Sequence, residues 1–362
     1  MTVKSNNDKH DAETTTGAPD LDNQGRDYKK QNSGNSDPNA IGVDIGTSKI
    51  VFAQKKNGEI KYDSHRNAFI SVEYSSFTEK ILNQNQIRYH QFDNSLVVYG
   101  DGAEVFADML NTEARRPMRK GLLNADETHS IDIIKKIIDD LVDSAKSSQA
   151  KLIFSVPGAP KDSPTDIIYH EALLKRHLEQ KGFATNSINE GLAVVFSELE
   201  DENFTGLGIS AGGGMCNVCL AYLSVPLVSF SINKGGDYLD DAAASVTGMV
   251  NTRVRSFKEN GFNLGAPPRN KVEDALQVYH DDLITTLVRT LKNRIQSASS
   301  TLNVDRPIPI VLSGGTAKVN GFKDRFEKFM KEENIPLEFG KIRIAKDPLT
   351  ATAKGALIAA MN

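Results

Sequence analysis

IGVDIGTSKIVFAQ, running from Ile41 to Gln54, is the stretch from which the fold can be read. Two short runs of mostly branched apolar residues, Ile41 to Ile45 and Ile50 to Ala53, flank Gly46, a pattern that predicts a strand, a tight turn and a second strand. The second half of the chain opens in the same way. LGISAGGGMCNVCLAY, from Leu207 to Tyr222, again places a glycine turn between two β-type runs, and PLVSFSI follows as another strand. Superposing the two turns aligns Val43-Asp44-Ile45-Gly46-Thr47-Ser48 with Ile209-Ser210-Ala211-Gly212-Gly213-Gly214, which pairs Asp44 with Ser210. An internal duplication into two similar lobes follows from that alignment.

Working outward, SVEYSS and SLVVYG read as strands, and KLIFSVPG reads as a buried strand closed by Pro157 and Gly158. SIDIIKKIIDDLV sets Ile131, Ile134, Ile138 and Leu141 at helical spacing behind Ser130 as N-cap, and Asp166 to Lys181 reads as an amphipathic helix stopped by Gly182. Helices are expected near Asp240 to Asn260 and Val272 to Ser299. The strand IPIVLSGG, a helix from about Gly321 to Glu332 and an Ala-rich terminal helix from about Pro348 complete the chain. Strands alternating with helices predict an α/β layered fold. The expected boundaries are a disordered tail over residues 1–39, a first lobe over 40–205, a second over 206–345, and a C-terminal helix over 346–362 that returns to the first lobe.

The 362 residues leave room for about two domains with a real core. Lys plus Arg is 43 against 47 Asp plus Glu, a net charge of −4, so no global field draws the chain onto nucleic acid or anionic lipid. The absence of Trp and the scatter of the other aromatics leave base stacking unsupported. Two cysteines are too few for a disulfide framework, no run reaches the roughly 18 apolar residues of a membrane span, and the opening MTVKSNNDKHDAETTT lacks an apolar signal core. A cytoplasmic protein with no direct membrane anchor is expected. The tail over residues 1–39 is too poor in apolar side chains to offset the entropy of ordering it, and reads either as a solvated extension or as an arm for an adaptor or cargo.

Three glycine turns, at Gly46, at Gly212 to Gly214 and at Gly314 to Gly315, each follow a short apolar run. Without a Cβ, such a turn lets backbone N–H groups approach an anion, and the neighbours Thr47, Ser48, Ser313 and Thr316 add hydroxyls. Neither GxxxxGK[ST] nor a helix-opening GxGxxG is present, so the phosphate grip is of another type. Cys216 and Cys219, three apart on a predicted strand, fall on opposite faces and make no metal or redox pair; His170 and His177 form no zinc pattern and read as core or surface residues.

The ordered set DIGTS at Asp44 to Ser48, NEGLAVVFSEL at Asn189 to Leu199, ISAGGG at Ile209 to Gly214, VLSGG at Val311 to Gly315 and DPLTATAKGALIAA near the end resembles the five signatures of the superfamily uniting actins, heat-shock chaperone ATPases and sugar kinases. Within it, RRPMRKGLL at Arg115 to Leu123 is most similar to bacterial actins of the MreB and MamK type. That resemblance covers residues 41–361 and implies an actin-like architecture: two similar lobes, each a mixed central sheet flanked by helices, with a nucleotide cleft between them.

It further implies ATP and Mg²⁺ as ligands. Asp44 would hold Mg²⁺ through water, an oxygen-rich arrangement the ion prefers. Gly46, Thr47 and Ser48 would contact the β- and γ-phosphates, with Lys49 either an extra charge or a solvated lysine. Glu190 stands where relatives keep the acid that positions the attacking water, although a Glu at a helix start is also stabilised by the dipole alone. Gly212, Gly213 and Gly214 would form the second phosphate clamp, Gly314, Gly315 and Thr316 would pass beneath the adenosine, and Lys258 is a base or ribose contact or a solvated charge. Asp237 and Asp240 read as structural caps.

Two functions fit the resemblance: a filament assembled head to tail under nucleotide control, or a non-polymerising ATP-binding adaptor. The chain stops at Asn362 just after the last signature, which disfavours a chaperone, and little length is left for a sugar site. One departure bears on turnover. Ser210 occupies a place where relatives usually carry an Asp that helps hold the Mg²⁺ waters, and outer contacts of that kind are worth roughly 10- to 100-fold. Nucleotide affinity should therefore be intact and hydrolysis slow. Ser210→Asp is expected to speed phosphate release in a single-turnover assay; an unchanged or lower rate would count against the reading.

Overall fold

The computed structural model describes residues 39–110, 112–143, 150–159, 164–298, 304 and 306–362; apart from Asn39, the tail expected over residues 1–39 lies outside them. β1 (Ile41–Ile45) turns at Gly46 into β2 (Lys49–Lys56), and β3 (Glu59–Arg66) completes an antiparallel meander. The Gly46 N–H closes the turn by donating to the Lys49 carbonyl at 3.1 Å. β4 (Phe69–Glu73), α1 (Ser76–Gln84), β5 (Tyr89–Phe92), β6 (Ser95–Tyr99) and α2 (Asp101–Met109) form a small separate layer with its own core around Leu82, Leu96 and Phe106. SVEYSS is strand only as far as Glu73, because the Ser75 hydroxyl caps α1 by accepting from the Thr78 N–H.

A two-stranded ribbon, β7 (Met118–Arg119) and β8 (Leu122–Leu123), leads to α3 (Ser130–Val142), then β9 (Lys151–Val156), α4 (Pro164–Gln180), β10 (Ala184–Asn189) and α5 (Glu190–Glu198). β9 and β10 add in parallel beside β1, so the first large sheet runs β3-β2-β1-β9-β10. α3 buries Ile133, Ile134, Ile137, Ile138 and Leu141 against it. The expected cap at Ser130 is not formed: His129 is the N-cap, without a side-chain bond, and Ser130 is a buried helical residue.

The second lobe repeats the plan. β11 (Gly206–Ala211), β12 (Cys216–Tyr222) and β13 (Val225–Ile232) make the meander, and α6 (Gly236–Thr247), α7 (Asn251–Glu259) and α8 (Lys271–Ala298) follow. β14 (Ile308–Ser313), α9 (Phe322–Glu332), β15 (Phe339–Ile344) and α10 (Ala351–Met361) end the chain. The sheet runs β13-β12-β11-β14-β15, with the same strand order and senses as the first. Asp44 lies opposite Val51 and Ser210 opposite Asn217, each one pair before its turn, and the Gly212 N–H donates to the Met215 carbonyl at 2.9 Å as Gly46 does to Lys49. The Asp44–Ser210 pairing is thus a structural equivalence.

The helical stretch near Asp240 to Asn260 is two helices, broken where Gly248 ends α6 in a left-handed conformation. α10 starts at Ala351 rather than Pro348, because Asp347 draws the preceding residues into a turn by accepting from the Leu349 N–H and the Thr350 hydroxyl. Cys216 and Cys219 face opposite cores, as alternation requires. Among the described residues no helix is long and apolar enough to cross a membrane.

Two helices stitch the lobes. α5 leaves the first sheet at β10 and packs Val194, Val195 and Leu199 on the second sheet; α10 leaves β15 and packs Ala353, Ala356 and Leu357 on the first. Where they touch, a Cβ on Gly355 would lie 1.7 Å from the Ala193 carbonyl oxygen. Alanine gains up to about 1 kcal/mol in helix propensity over glycine, but backbone cannot yield to such an overlap without parting the helices. Gly355→Ala is expected to destabilise by about 2 kcal/mol or more in urea unfolding, whereas Gly58→Asn, at a turn position of positive φ with nothing within 4 Å, is expected to cost only the backbone strain of about 1 kcal/mol.

Candidate functional site

A cleft of about 660 Å³ opens between the lobes, and the residues singled out above as nucleotide, phosphate or metal contacts line it, except Ser313, which is buried and donates its hydroxyl to the Pro348 carbonyl at 3.0 Å. Its floor is built from the paired turns. Asn67 braces the first, its side-chain amide donating to the Gly46 carbonyl at 2.9 Å and its N–H to the Ser48 carbonyl. Thr47 Oγ1 accepts from the Gly121 N–H at 3.0 Å. The second turn is held from below by α6, whose Gly236 and Asp237 N–H groups donate to the Gly212 and Gly213 carbonyls, and by Thr316, whose hydroxyl donates to the Gly212 carbonyl. Gly314, Gly315 and Thr316 form the third turn on the same wall, tied to the Pro348 carbonyl through the Gly314 N–H.

The turns stand almost in contact. A Cβ on Gly213 would fall 2.1 Å from Ser48 Oγ, and one on Gly214 would fall 2.4 Å from Thr47 Oγ1. Only a chain lacking both side chains can bring hydroxyls and backbone amides of the two lobes together here.

Behind the turns lie two carboxyls, Glu190 buried and Asp44 half-buried. Ser155, on β9, donates to Asp44 Oδ1 at 2.7 Å and accepts from the Ile45 N–H at 3.0 Å. Glu190, the first residue of α5, accepts from the Ser210 hydroxyl at 3.0 Å, while the Asn189 side chain caps the helix by accepting from the Leu192 N–H. Burial raises the Asp44 carboxyl to about 6, against the Ser155 hydrogen bond. Burial, and then the Asp44 charge, raise the Glu190 carboxyl to about 8, against hydrogen bonds from Ser210 and Asn217. Like charges crowded in a buried, oxygen-only setting fit a hard divalent cation such as Mg²⁺. Among the described residues no group of three or more His, Cys, Asp or Glu cages a metal directly, so waters and phosphate oxygens would complete its shell.

Lys258 is buried: its ammonium donates to the Gly236 carbonyl at 2.9 Å and pairs with Asp240 at 2.6 Å, so it supports the second turn from within the wall. Asp240 also pairs with Arg255 at 3.2 Å. Asp237 is not a helix cap, since Gly235 is the N-cap and no side-chain bond is made there; its carboxylate reaches across to Arg116 at 2.7 Å. Lys49 lines the cleft, half-buried.

Sequence reading missed Ser155, Asn67, Asn217, Gly121 and Arg116. Ser155 and Asn217 left a trace, each a polar residue within an otherwise apolar strand. Arg116 and Gly121 lie within RRPMRKGLL, Gly121 in the turn of the β7–β8 ribbon, but nothing in that run says which turn of the cleft they meet.

The family model for Volactin matches residues 39–360. The chain belongs to the Volactin family. Comparison with curated proteins finds no match. Among solved structures, the Volactin chain is similar to a MamK double helical filament, with 18% identity and a TM-score of 0.66 over 89% of this chain and 98% of that one. It is also similar to MreB5 of Spiroplasma citri bound to AMPPNP, with 13% identity and a TM-score of 0.62 over 87% and 93%. These likenesses establish an actin-like fold for this chain.

The two carboxyls give the protein a pH signature. Their folded pKa values lie above the ordinary 3.8 and 4.5, so the folded state holds protons more tightly than the unfolded state. The stability they contribute is complete below about pH 4 and is lost as pH rises through about 6 and then about 8. The melting temperature of the nucleotide-free protein is expected to fall between about pH 5 and about pH 8.5, and Glu190→Gln should flatten the upper part of that slope. An identical slope in the variant would refute the assignment.

Proposed function

We propose that this protein is an actin-like, nucleotide-controlled filament former that binds ATP with Mg²⁺ between its lobes and hydrolyses it slowly to ADP and phosphate. The observation that carries the reading is the approach of Gly213 and Gly214 to Ser48 and Thr47, which brings two glycine turns from different lobes close enough to share one small anion. In this account residues 40–205 and 206–345 act as lobes hinged at α5 and α10, and the cleft closes on a triphosphate.

Each residue has a role that its surroundings permit. The main chain of the turns at Gly46 and at Gly212 to Gly214, where the Gly46 and Gly212 N–H groups close the turns and leave the amides that follow them to the ligand, binds phosphate oxygens together with the Thr47 and Ser48 hydroxyls. Asp44, fixed by Ser155, would hold the waters of Mg²⁺, which when bound supplies positive charge against the phosphates. Glu190 orients the attacking water; Ser210 offers it a hydroxyl where a second acid would help hold the waters of Mg²⁺, and slow turnover follows from that missing anchor.

Filament formation is supported by the shared fold with MamK, one of whose structures is a double helical filament, and nucleotide binding by MreB5 structures holding ADP and AMPPNP. A head-to-tail contact that does not close into a ring extends without limit. The working compartment is the cytoplasm. Sedimentation tests the reading: the protein is expected to pellet with ATP and Mg²⁺ and to stay in the supernatant without nucleotide. Gly213→Val, whose side chain would strike Ser48, should lose binding and pelleting together. Nucleotide binding without pelleting under any condition would replace the filament with a non-polymerising adaptor, and no binding at all would overturn both.

A further inference from the structure

Arg116 touches the first glycine turn and a support of the second at once. It lies in the loop between α2 and β7, in the first lobe, and its Nη1 donates to Ser48 Oγ at 2.9 Å. The same nitrogen donates to Asp237 of the second lobe, at 2.7 Å to Oδ1 and 2.9 Å to Oδ2. A Cβ on Gly213 would lie 3.7 Å from it. The guanidinium is thus held at the seam where the two turns meet, and it lines the cleft.

The charges around it are crowded. Asp240 is occupied by Lys258 at 2.6 Å and Arg255 at 3.2 Å, and Arg255 also leans on Asp237 at 3.7 Å. Asp237 is therefore shared between Arg116 and Arg255, with Glu104 adding negative charge nearby. Burial lowers the affinity of Arg116 for its proton, and the Asp237 carboxylate opposes that. An anion entering between the turns would compete with this shared carboxylate for the guanidinium, which grips a phosphate through two N–H groups at once.

We infer that Arg116 reads the terminal phosphate of the nucleotide, with Asp237 holding the arginine across the cleft until that phosphate competes for it. The inference rests on the nucleotide reading above and adds a discriminator between tri- and diphosphate. Binding the terminal phosphate transfers the guanidinium, in whole or in part, from the second lobe's carboxylate to the ligand that both lobes grip. The strap between the lobes is thereby remade around the triphosphate, and a diphosphate leaves it on Asp237.

The two ends of this ion pair then respond in opposite senses, which no purely structural salt bridge does. With Mg²⁺ present, calorimetry or displacement of a fluorescent nucleotide compares AMPPNP with ADP. Arg116→Gln is expected to weaken AMPPNP binding about 10-fold or more while ADP changes less than about 3-fold. Asp237→Asn, which frees the arginine, is expected to tighten AMPPNP about 3-fold or more and to leave ADP alone. Arg116→Lys keeps the charge without the fork, should recover part of the loss, and guards against misfolding of the glutamine variant. Equal weakening of both nucleotides by both variants, or no change in either, overturns the inference while leaving nucleotide binding in place. Failure of the unaltered protein to bind either nucleotide removes the nucleotide reading itself.

Discussion

The structure depends on backbone meeting backbone at the crossing of α5 and α10. Each helix starts from one lobe's sheet and lies on the other's, so the two sheets are fixed to each other only as firmly as the helices are fixed to one another. Gly355 against the Ala193 carbonyl leaves no side chain between them. Atoms in van der Waals contact along such a seam resist separation far better than two layers of mobile side chains. The phosphate turns lie at the far ends of strands that this seam orients, and their near contact at Gly213 and Ser48 is a consequence of it.

Charge is sorted along the cleft floor. Asp44 and Glu190 stand together at one side with hydroxyl donors, Ser155 and Ser210, as their hydrogen-bond partners, while Arg116, Arg255 and Lys258 gather with Asp237 and Asp240 at the other. Without ligand the two acids are driven toward protonation by burial. In the proposed function a magnesium triphosphate would present the complement, cation on one side and anion on the other.

Much of this was legible in the sequence. The strand–turn–strand units, their duplication and the Asp44–Ser210 equivalence follow from apolar alternation and glycine punctuation, which are local signals, and the residues expected to touch the nucleotide, Ser313 apart, line one cleft. What escaped is non-local. Ser155 meets Asp44 only because β9 adds in parallel beside β1, and Arg116 meets Asp237 only because two lobes close on each other; neither partner is fixed by spacing along the chain. Lys258 shows the converse. A lysine in the right neighbourhood invited a ligand role, yet a buried carboxylate 2.6 Å away claims its charge for the wall. Ser130 and Pro348 erred at helix starts for a smaller reason, since a neighbouring residue supplied the cap or the turn.

The substitution of a hydroxyl at Ser210 gains its meaning from this charge map. An acid there would have placed a third negative group beside two that already repel, in a pocket where only a bound cation could relieve them. Serine removes that repulsion and still satisfies Glu190 with a donated hydrogen bond at 3.0 Å. In the proposed function it gives up an anchor for the waters of Mg²⁺, while its hydroxyl, and the negative charge it does not add, leave Glu190 harder to protonate than an acid at this place would. On that reading the grip on phosphate is untouched and only the hold on the reacting water is relaxed, so a polymer built from such subunits would be governed by binding and closure more than by turnover.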